Sequence, residues 1–192
     1  VDLDGKVKFP ECEVVHVGDQ GSATSYIHTH LGYPANYNPV ICGTAAAGNY
    51  GRATAGDGGY AKAGRSGFAT VGHEGRATVD DFGHAFAGNY GNAVAGDYGY
   101  AFAGNYGNAS AGDYGYAQAL EYGRATAGRK GRADSGLGGT VMAGEGGRIS
   151  LEYWDDVRDR NARRIILVGY IGQDGLEPYV PYKCVVGKFV SV

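Results

Sequence analysis

Residues 87–102 and 103–118 repeat one another, since AGNYGNAVAGDYGYAF is followed directly by AGNYGNASAGDYGYAQ with fourteen of sixteen residues identical. A shorter repeat lies inside this one. From Ala47 to Ser150 the chain consists of thirteen consecutive octads with the consensus A-G-[ND]-Y-G-x-A-x. The fifth position is Gly in all thirteen octads, and the seventh is Ala in eleven. Such self-similarity is typical of solenoids, in which each repeat packs only on its neighbours.

The small residues at position seven of one octad and position one of the next stand two apart, with a variable residue between them. This alternation is typical of a half-buried strand and predicts that positions seven and one face inward, while positions six and eight face solvent. The G-[ND]-x-G segment supplies residues that tolerate left-handed backbone at a corner. One octad, with about five residues of strand, only carries the chain from one side of a coil to the other. We therefore predict an all-β, flat two-sheet β-solenoid with two octads, about 16 residues, per coil and coils about 4.8 Å apart.

The ends of the chain depart from the octad pattern. Residues 1–38 are predicted as an N-terminal cap with one octad, VGDQGSAT at 17–24, and an inserted loop at 25–38. Residues 39–150 are predicted as the octapeptide-repeat solenoid. Residues 151–192, where β-branched and aromatic residues return, are predicted as a C-terminal β cap. Capping is expected because a solenoid otherwise leaves unpaired strand edges at its ends.

The octads and the block that closes them, GGRISLEYWDD…RRIILVGYIGQDGLEPY…GKFVSV, resemble a family of uncharacterised repeat proteins encoded by bacteria, phages and prophages. The resemblance covers about residues 40–192, and its specific part is the C-terminal block, where Trp154, Val168 to Gly175 and Gly187 to Val190 match. It implies a β-solenoid fold and a phage-related origin. It transfers no functional residue, because no activity is assigned to that family.

Composition argues against several classes of function. The formal net charge is -3 and the 17 Lys and Arg residues are spread along the chain, so we expect no nucleic-acid partner. No run approaches the roughly 18 apolar residues of a membrane helix, so we expect no membrane span. The three cysteines, Cys12, Cys42 and Cys184, lie far apart and are expected to be buried thiols. Since the chain begins at Val1, a leader is an open possibility, and the localisation is left undetermined.

A 16-residue coil sorts the outward positions into two unlike faces. One face is predicted to carry a strip of six aromatic side chains flanked by Arg52, Arg132 and Arg148: Phe68, His84, Phe86, Tyr100, Phe102 and Tyr116. The other face carries Lys62, Arg76, Thr78, Asn92, Ser110, Arg124 and Thr126. An aromatic strip of this length indicates a contact surface, although rung-on-rung stacking without a ligand is the simpler alternative.

The aromatic residues at position four form two further predicted columns at the corners of the coil. One column holds Phe82, Tyr98 and Tyr114, and the other holds Tyr90, Tyr106 and Tyr122. We interpret these corner ladders as stacking devices, with the alternative that their rings and hydroxyls hold sugars.

Chemistry-bearing motifs are weak in this sequence. His16, His28 and His30 could approach one another, but no acidic or Cys partner stands at metal-ligand spacing, so no metal or cofactor is expected. Glu152, Asp155 and Asp156 are adjacent acids beside Trp154, which we interpret as solvated residues and not as paired catalytic carboxylates. We therefore expect a non-enzymatic β-solenoid whose aromatic strip serves self-association, another protein or a surface glycan. The alternative is an ice-binding protein that uses a flat repetitive face.

Overall fold

A computed structural model describes residues 39–40, 43–155 and 163–192, and in that part of the chain all regular structure is β. The strands recur every eight residues through the octads, as predicted. Their bounds are β1 Pro39–Val40, β2 Thr44–Ala47, β3 Arg52–Ala55, β4 Tyr60–Ala63, β5 Phe68–Thr70, β6 Arg76–Val79, β7 His84–Ala87, β8 Asn92–Ala95, β9 Tyr100–Ala103, β10 Asn108–Ala111, β11 Tyr116–Ala119, β12 Arg124–Ala127, β13 Arg132–Ser135, β14 Thr140–Ala143, β15 Arg148–Asp155, β16 Arg163–Tyr170, β17 Tyr182–Val185 and β18 Lys188–Ser191. The loop predicted at 25–38 lies outside the described residues.

The described residues form two nine-stranded sheets, and successive strands alternate between them up to β15. Sheet A has the order β1-β3-β5-β7-β9-β11-β13-β15-β16, and sheet B has the order β18-β17-β14-β12-β10-β8-β6-β4-β2. Neighbouring octad strands are parallel and pair residues sixteen apart, as Asn108 does with Arg124 in sheet B and Tyr100 with Tyr116 in sheet A. The predicted β-solenoid with 16-residue coils is confirmed.

The interior between the sheets is made almost entirely of alanine. Positions seven and one point inward, and Ala101 and Ala117 have no exposed surface. The largest fully buried side chains are Val141, Ile149 and Leu151, near the C-terminal end of the stack. Since methyl groups bury little apolar area each, the parallel backbone ladders and close packing carry much of the stability.

The corners use left-handed backbone at position four of every octad. All thirteen of these residues have φ between 51° and 67°, and most of them are not glycine. The conformation turns the position-four amide along the solenoid axis, so that the N–H of Tyr90 donates to the carbonyl of Asn105 in the next coil at 2.9 Å. The corner prediction is confirmed, but the left-handed residue is the one at position four, aromatic in seven of the thirteen octads, and not its Asn or Asp neighbour.

Position three ties one coil to the next through its side chain. The carboxylate or amide Oδ1 accepts a hydrogen bond from the backbone N–H sixteen residues later, for example Asp97 from Asp113 at 2.8 Å and Asn89 from Asn105 at 2.9 Å. This clip repeats at both corners, which explains why Asn and Asp are frequent at this position.

The C-terminal end leaves the parallel pattern and closes with two antiparallel hairpins. Strand β15 extends the last octad and pairs along its whole length with β16, while β17 and β18 pair in sheet B. The predicted boundary at residue 150 therefore falls inside β15. Ile171, Leu176 and Tyr182 are buried in the core at this end, and Cys184 and Phe189 pack against it partly buried.

Candidate functional site

The six side chains of the predicted strip lie together on the outward surface of sheet A, which we call the aromatic face. The strand register places Phe68 beside His84, Phe86 beside Phe102, and Tyr100 between His84 and Tyr116. Position six supplies one column and position eight the other. The position-six column is aromatic on four consecutive strands and the position-eight column on two of them, and together they make a continuous aromatic surface bounded by Arg52 at one end and Arg132 at the other.

The rings of the aromatic face are packed on one another at varied angles. Phe68 and His84 stack with centroids 4.9 Å apart, whereas Phe86 and Phe102 are tilted by 44° and Tyr100 meets Tyr116 edge-on at 69°. Phe68 is 44% exposed, and the other five side chains are half-buried by their neighbours. The face is thus a dense apolar surface with its ring edges and faces partly open to solvent.

At the C-terminal end of the aromatic face the surface drops into a groove of about 400 Å³. Its lining includes Tyr116, Gln118, Arg132, Asp134, Glu152 and Ile166. The groove forms because position eight, filled by Phe86 and Phe102 in the earlier coils, changes to smaller polar residues in β11, β13 and β15. An apolar surface that ends in a polar groove can hold a ligand by contact and orient it by hydrogen bonds.

Asp134 organises the floor of this groove and is only 7% exposed. Its carboxylate accepts hydrogen bonds from the Tyr116 hydroxyl at 2.8 Å and from the Ser150 hydroxyl at 2.5 Å, and it pairs with the Arg132 guanidinium. One coil earlier, the Tyr100 hydroxyl donates to the Gln118 amide oxygen at 3.2 Å. Burial and the neighbouring Asp134 carboxylate raise the pKa of the Tyr116 phenol well above its usual range.

The far wall of the groove carries a second charged group. The Arg164 guanidinium on β16 donates a hydrogen bond to the Glu121 carboxylate at 2.5 Å and forms an ion pair with the Glu152 carboxylate, with its Nε 3.1 Å from the nearer oxygen. Glu152 is therefore part of an ion pair. Asp156, the third acid considered beside Trp154, lies outside the described residues.

Sequence reasoning placed the aromatic rings but missed the polar residues of the groove. Gln118, Asp134 and Ser150 occupy the same position-eight column of sheet A as Phe86 and Phe102. The change from aromatic to polar along that column was the available signal. Arg164 and Glu121 gave no comparable signal, because their contact joins β16 to a corner of the repeat and depends on how the cap folds back.

The predicted corner ladders are present in the structure. Ring centroids are 5.1 Å apart for Phe82 and Tyr98 and 4.9 Å for Tyr98 and Tyr114, with the ring planes within 3° of parallel. The second column, Tyr90, Tyr106 and Tyr122, stacks at 5.1 and 5.0 Å. These rings are roughly half exposed, so each corner presents a regular stack of ring edges to solvent.

The opposite face, on sheet B, lacks such a surface. Its position-eight column runs Lys62, Thr78, Val94, Ser110, Thr126 and Met142. The Asn108 amide donates to Asn92 at 3.0 Å, and the Thr78 hydroxyl is buried without a hydrogen-bond partner. Side chains of unlike size and charge thus succeed one another along the solenoid axis.

The described residues hold no cluster of three or more His, Cys, Asp or Glu side chains that could bind a metal ion. His16, His28 and His30, which raised that possibility, lie outside them. Nor does the described part of the chain include a helix long and apolar enough to cross a membrane. Comparison with protein-family models, with curated proteins and with solved structures found no match.

Proposed function

We propose that this protein is a non-enzymatic β-solenoid that attaches to another molecule through the aromatic face of sheet A. The observation that carries the proposal is the register of Phe68, His84, Phe86, Tyr100, Phe102 and Tyr116, which gathers every one of these rings on one surface next to a polar groove. Monomeric proteins seldom leave a contiguous apolar patch of this kind without a partner.

Three kinds of partner fit a surface of this chemistry: a second copy of the chain, another protein, or a surface glycan. Protein interfaces are enriched in aromatic and Arg residues, and both are present here at Phe86, Phe102 and Arg132. A glycan would stack on the rings and bond to groups in the groove such as Gln118 and Glu152. A role in attachment also agrees with the phage-related origin implied by the C-terminal block.

Ice binding is the second candidate, since both sheets are flat repeating arrays. Ice-binding surfaces require regular spacing of like groups, but the sheet B column alternates Lys, Thr, Val, Ser and Met, and sheet A replaces Thr54 and Thr70 by Phe86 and Phe102. The geometry therefore favours the attachment function. A thermal hysteresis gap at micromolar protein would reverse this preference.

The direct test replaces Phe86 and Phe102 together by Ser. Both side chains point outward, so the fold should persist, while association should weaken. Truncating an interface anchor commonly costs about 2 kcal/mol or more, which corresponds to a loss of affinity of at least tenfold. Self-association would be followed by sedimentation, and attachment to glycans by binding to an immobilised glycan panel.

The matched control replaces Val94 and Met142 by Ser on sheet B, where we expect association to be unchanged. Circular dichroism should show the same β spectrum for both variants. If the Phe variant binds and sediments as the parent protein does, the aromatic face is only a stacking ladder and the attachment function is wrong.

A further inference from the structure

The last strand of sheet A is a long, open edge. In the described residues β16 pairs with β15 on one side and with no strand on the other. It is eight residues long, whereas the octad strands have three or four. Strand β18, the last strand of sheet B, lies at the same end, and among the described strands it pairs with β17 alone. The C-terminal cap thus ends the solenoid without protecting the sheet edge.

The outward side chains of β16 are apolar and exposed. Ile166 is 59% exposed, Val168 41% and Tyr170 52%. Proteins usually protect such edges with charged side chains directed at the approaching strand. Here Arg164 forms ion pairs with Glu121 and Glu152 over the face of the sheet, so its charge is not directed at an approaching strand.

The hydrogen-bond phase of the hairpin fixes which backbone groups point to the open side. The N–H of Ile171 donates to the carbonyl of Gly147, directly opposite in the register, at 2.9 Å. In an antiparallel ladder every second residue bonds to the same neighbour. The N–H and C=O groups of Arg164, Ile166 and Val168 therefore face away from β15, as does the N–H of Tyr170, whose carbonyl accepts a hydrogen bond from the Gln173 N–H at 3.1 Å.

These four residues are complementary to a second copy of the same strand. In an antiparallel pair with Leu167 on the two-fold axis, Ile166 lies opposite the second copy's Val168, and Arg164 lies opposite its Tyr170. The same register places the open backbone groups of Ile166 and Val168 in hydrogen-bonded pairs, because residues that face each other must share the same phase. Apolar side chains meet apolar side chains, and no like charges face one another, because Arg164 stands opposite Tyr170 and is paired with Glu121 and Glu152 of its own chain.

We propose that β16 pairs with β16 of a second copy, joining two solenoids end to end so that sheet A continues across the two-fold axis. This interface includes Ile166 from the wall of the polar groove but none of the six rings of the aromatic face, so it does not require those rings to bind a partner. Backbone hydrogen bonds between the two β16 strands provide the affinity. The pairing of Ile166 with Val168 of the second copy fixes the register.

Charges introduced at the paired positions 166 and 168 test both the dimer and its register. The native chain should sediment as a dimer in analytical ultracentrifugation. The variant with Ile166→Lys and Val168→Lys should be a monomer, because each Lys would face a Lys of the second copy. The variant with Ile166→Glu and Val168→Glu should also be a monomer. Mixing the two should restore a dimer that contains one chain of each, since opposite charges then face one another.

The Val94→Lys variant controls for the added charge, because it changes an outward valine of sheet B and should remain a dimer. Phe86→Ser with Phe102→Ser should also leave this dimer intact, which separates it from association through the aromatic face. A native chain that is monomeric, a double-Lys variant that is still dimeric, or folded Lys and Glu variants that do not combine on mixing would each overturn the proposal.

Discussion

The glycine at position five is the most constrained residue of the octad. A Cβ built on Gly91 would lie 2.8 Å from the Cβ of Ala87 and 3.0 Å from the carbonyl oxygens of Gly75 and Gly88. Ala87 and Gly88 belong to the same octad as Gly91, whereas Gly75 belongs to the preceding coil. Glycine is required here by close packing and not by φ, which is positive at position four instead.

This packing makes Gly91→Ala a sharp probe of the stack. We expect it to lower the free energy of unfolding by about 1 to 3 kcal/mol, because backbone atoms cannot move aside for the new methyl group. The control is Ser110→Ala, at an outward-facing, half-exposed position of sheet B. That variant should change the free energy of unfolding by less than about 0.5 kcal/mol, since it alters no packed contact of the interior. Equal destabilisation of the two variants in urea titrations would contradict the packing described above.

Tyr116 gives a prediction about pH. Because its pKa is raised in the folded protein, its contribution to stability is complete below the unfolded pKa of about 10 and is lost as the pH rises through the higher folded value. Between about pH 9 and pH 12 the melting temperature of the parent should therefore fall more steeply than that of Tyr116→Phe. Asp134→Asn, which removes the nearby negative charge, should also reduce the slope. Parallel slopes for the parent and both variants would exclude this account of Tyr116.

At the scale of the element, each strand is short and its corners hold it in register. The position-three clip and the position-four left-handed turn both form hydrogen bonds with the next coil. The Asp97 carboxylate accepts one from the Asp113 N–H, and the Tyr98 N–H donates one to the Asp113 carbonyl. A left-handed non-glycine residue carries about 1 kcal/mol or more of strain. Stacking on two ring neighbours, each contributing about 0.5 to 1.5 kcal/mol, offsets that strain.

Asp97→Ala tests the clip. The Asp113 amide would lose its side-chain acceptor, and we expect its hydrogen exchange to become faster and the protein to lose about 0.5 to 1.5 kcal/mol of stability. Glu145→Ala changes an exposed residue at the same octad position and should leave exchange in the neighbouring coil unchanged. Unaltered protection of the Asp113 amide in Asp97→Ala would show that the clip is dispensable.

The octad strands could be predicted because every one of them follows the same pattern, which makes Ala101 and Ala117 equivalent positions. A strand assignment that is uncertain in one octad is therefore fixed by the pattern of the others. The C-terminal hairpins could be anticipated only as β structure. Their pairing depends on contacts that no repeat encodes, such as Arg164 with Glu121 forty-three residues earlier. The same limit applies to the groove, whose Asp134 acquires its burial from Tyr116 and Ser150 of adjacent coils.

At the scale of the whole molecule, the coil length decides the surface. Two octads per coil send alternate octads to opposite sheets, so small differences between them accumulate into two unlike faces. Phe86 and Phe102 then fall on sheet A, while Val94 and Ser110 fall on sheet B. With one octad per coil, the aromatic residues would instead alternate on a single face with the polar residues that now lie on sheet B.

The most direct test of the account measures proximity at spacings of sixteen and eight residues. In a chain with Cys12, Cys42 and Cys184 replaced by Ser, nitroxide labels would be attached to Asn108→Cys with Arg124→Cys, and separately to Arg124→Cys with Arg132→Cys. The first pair lies on adjacent strands of sheet B, about 4.8 Å apart, and should show strong dipolar broadening. The second pair lies on opposite sheets, about 10 Å apart with side chains pointing in opposite directions, and should show little. Stronger broadening for the pair separated by eight residues, or none for either pair, would contradict the 16-residue coil and with it the aromatic face.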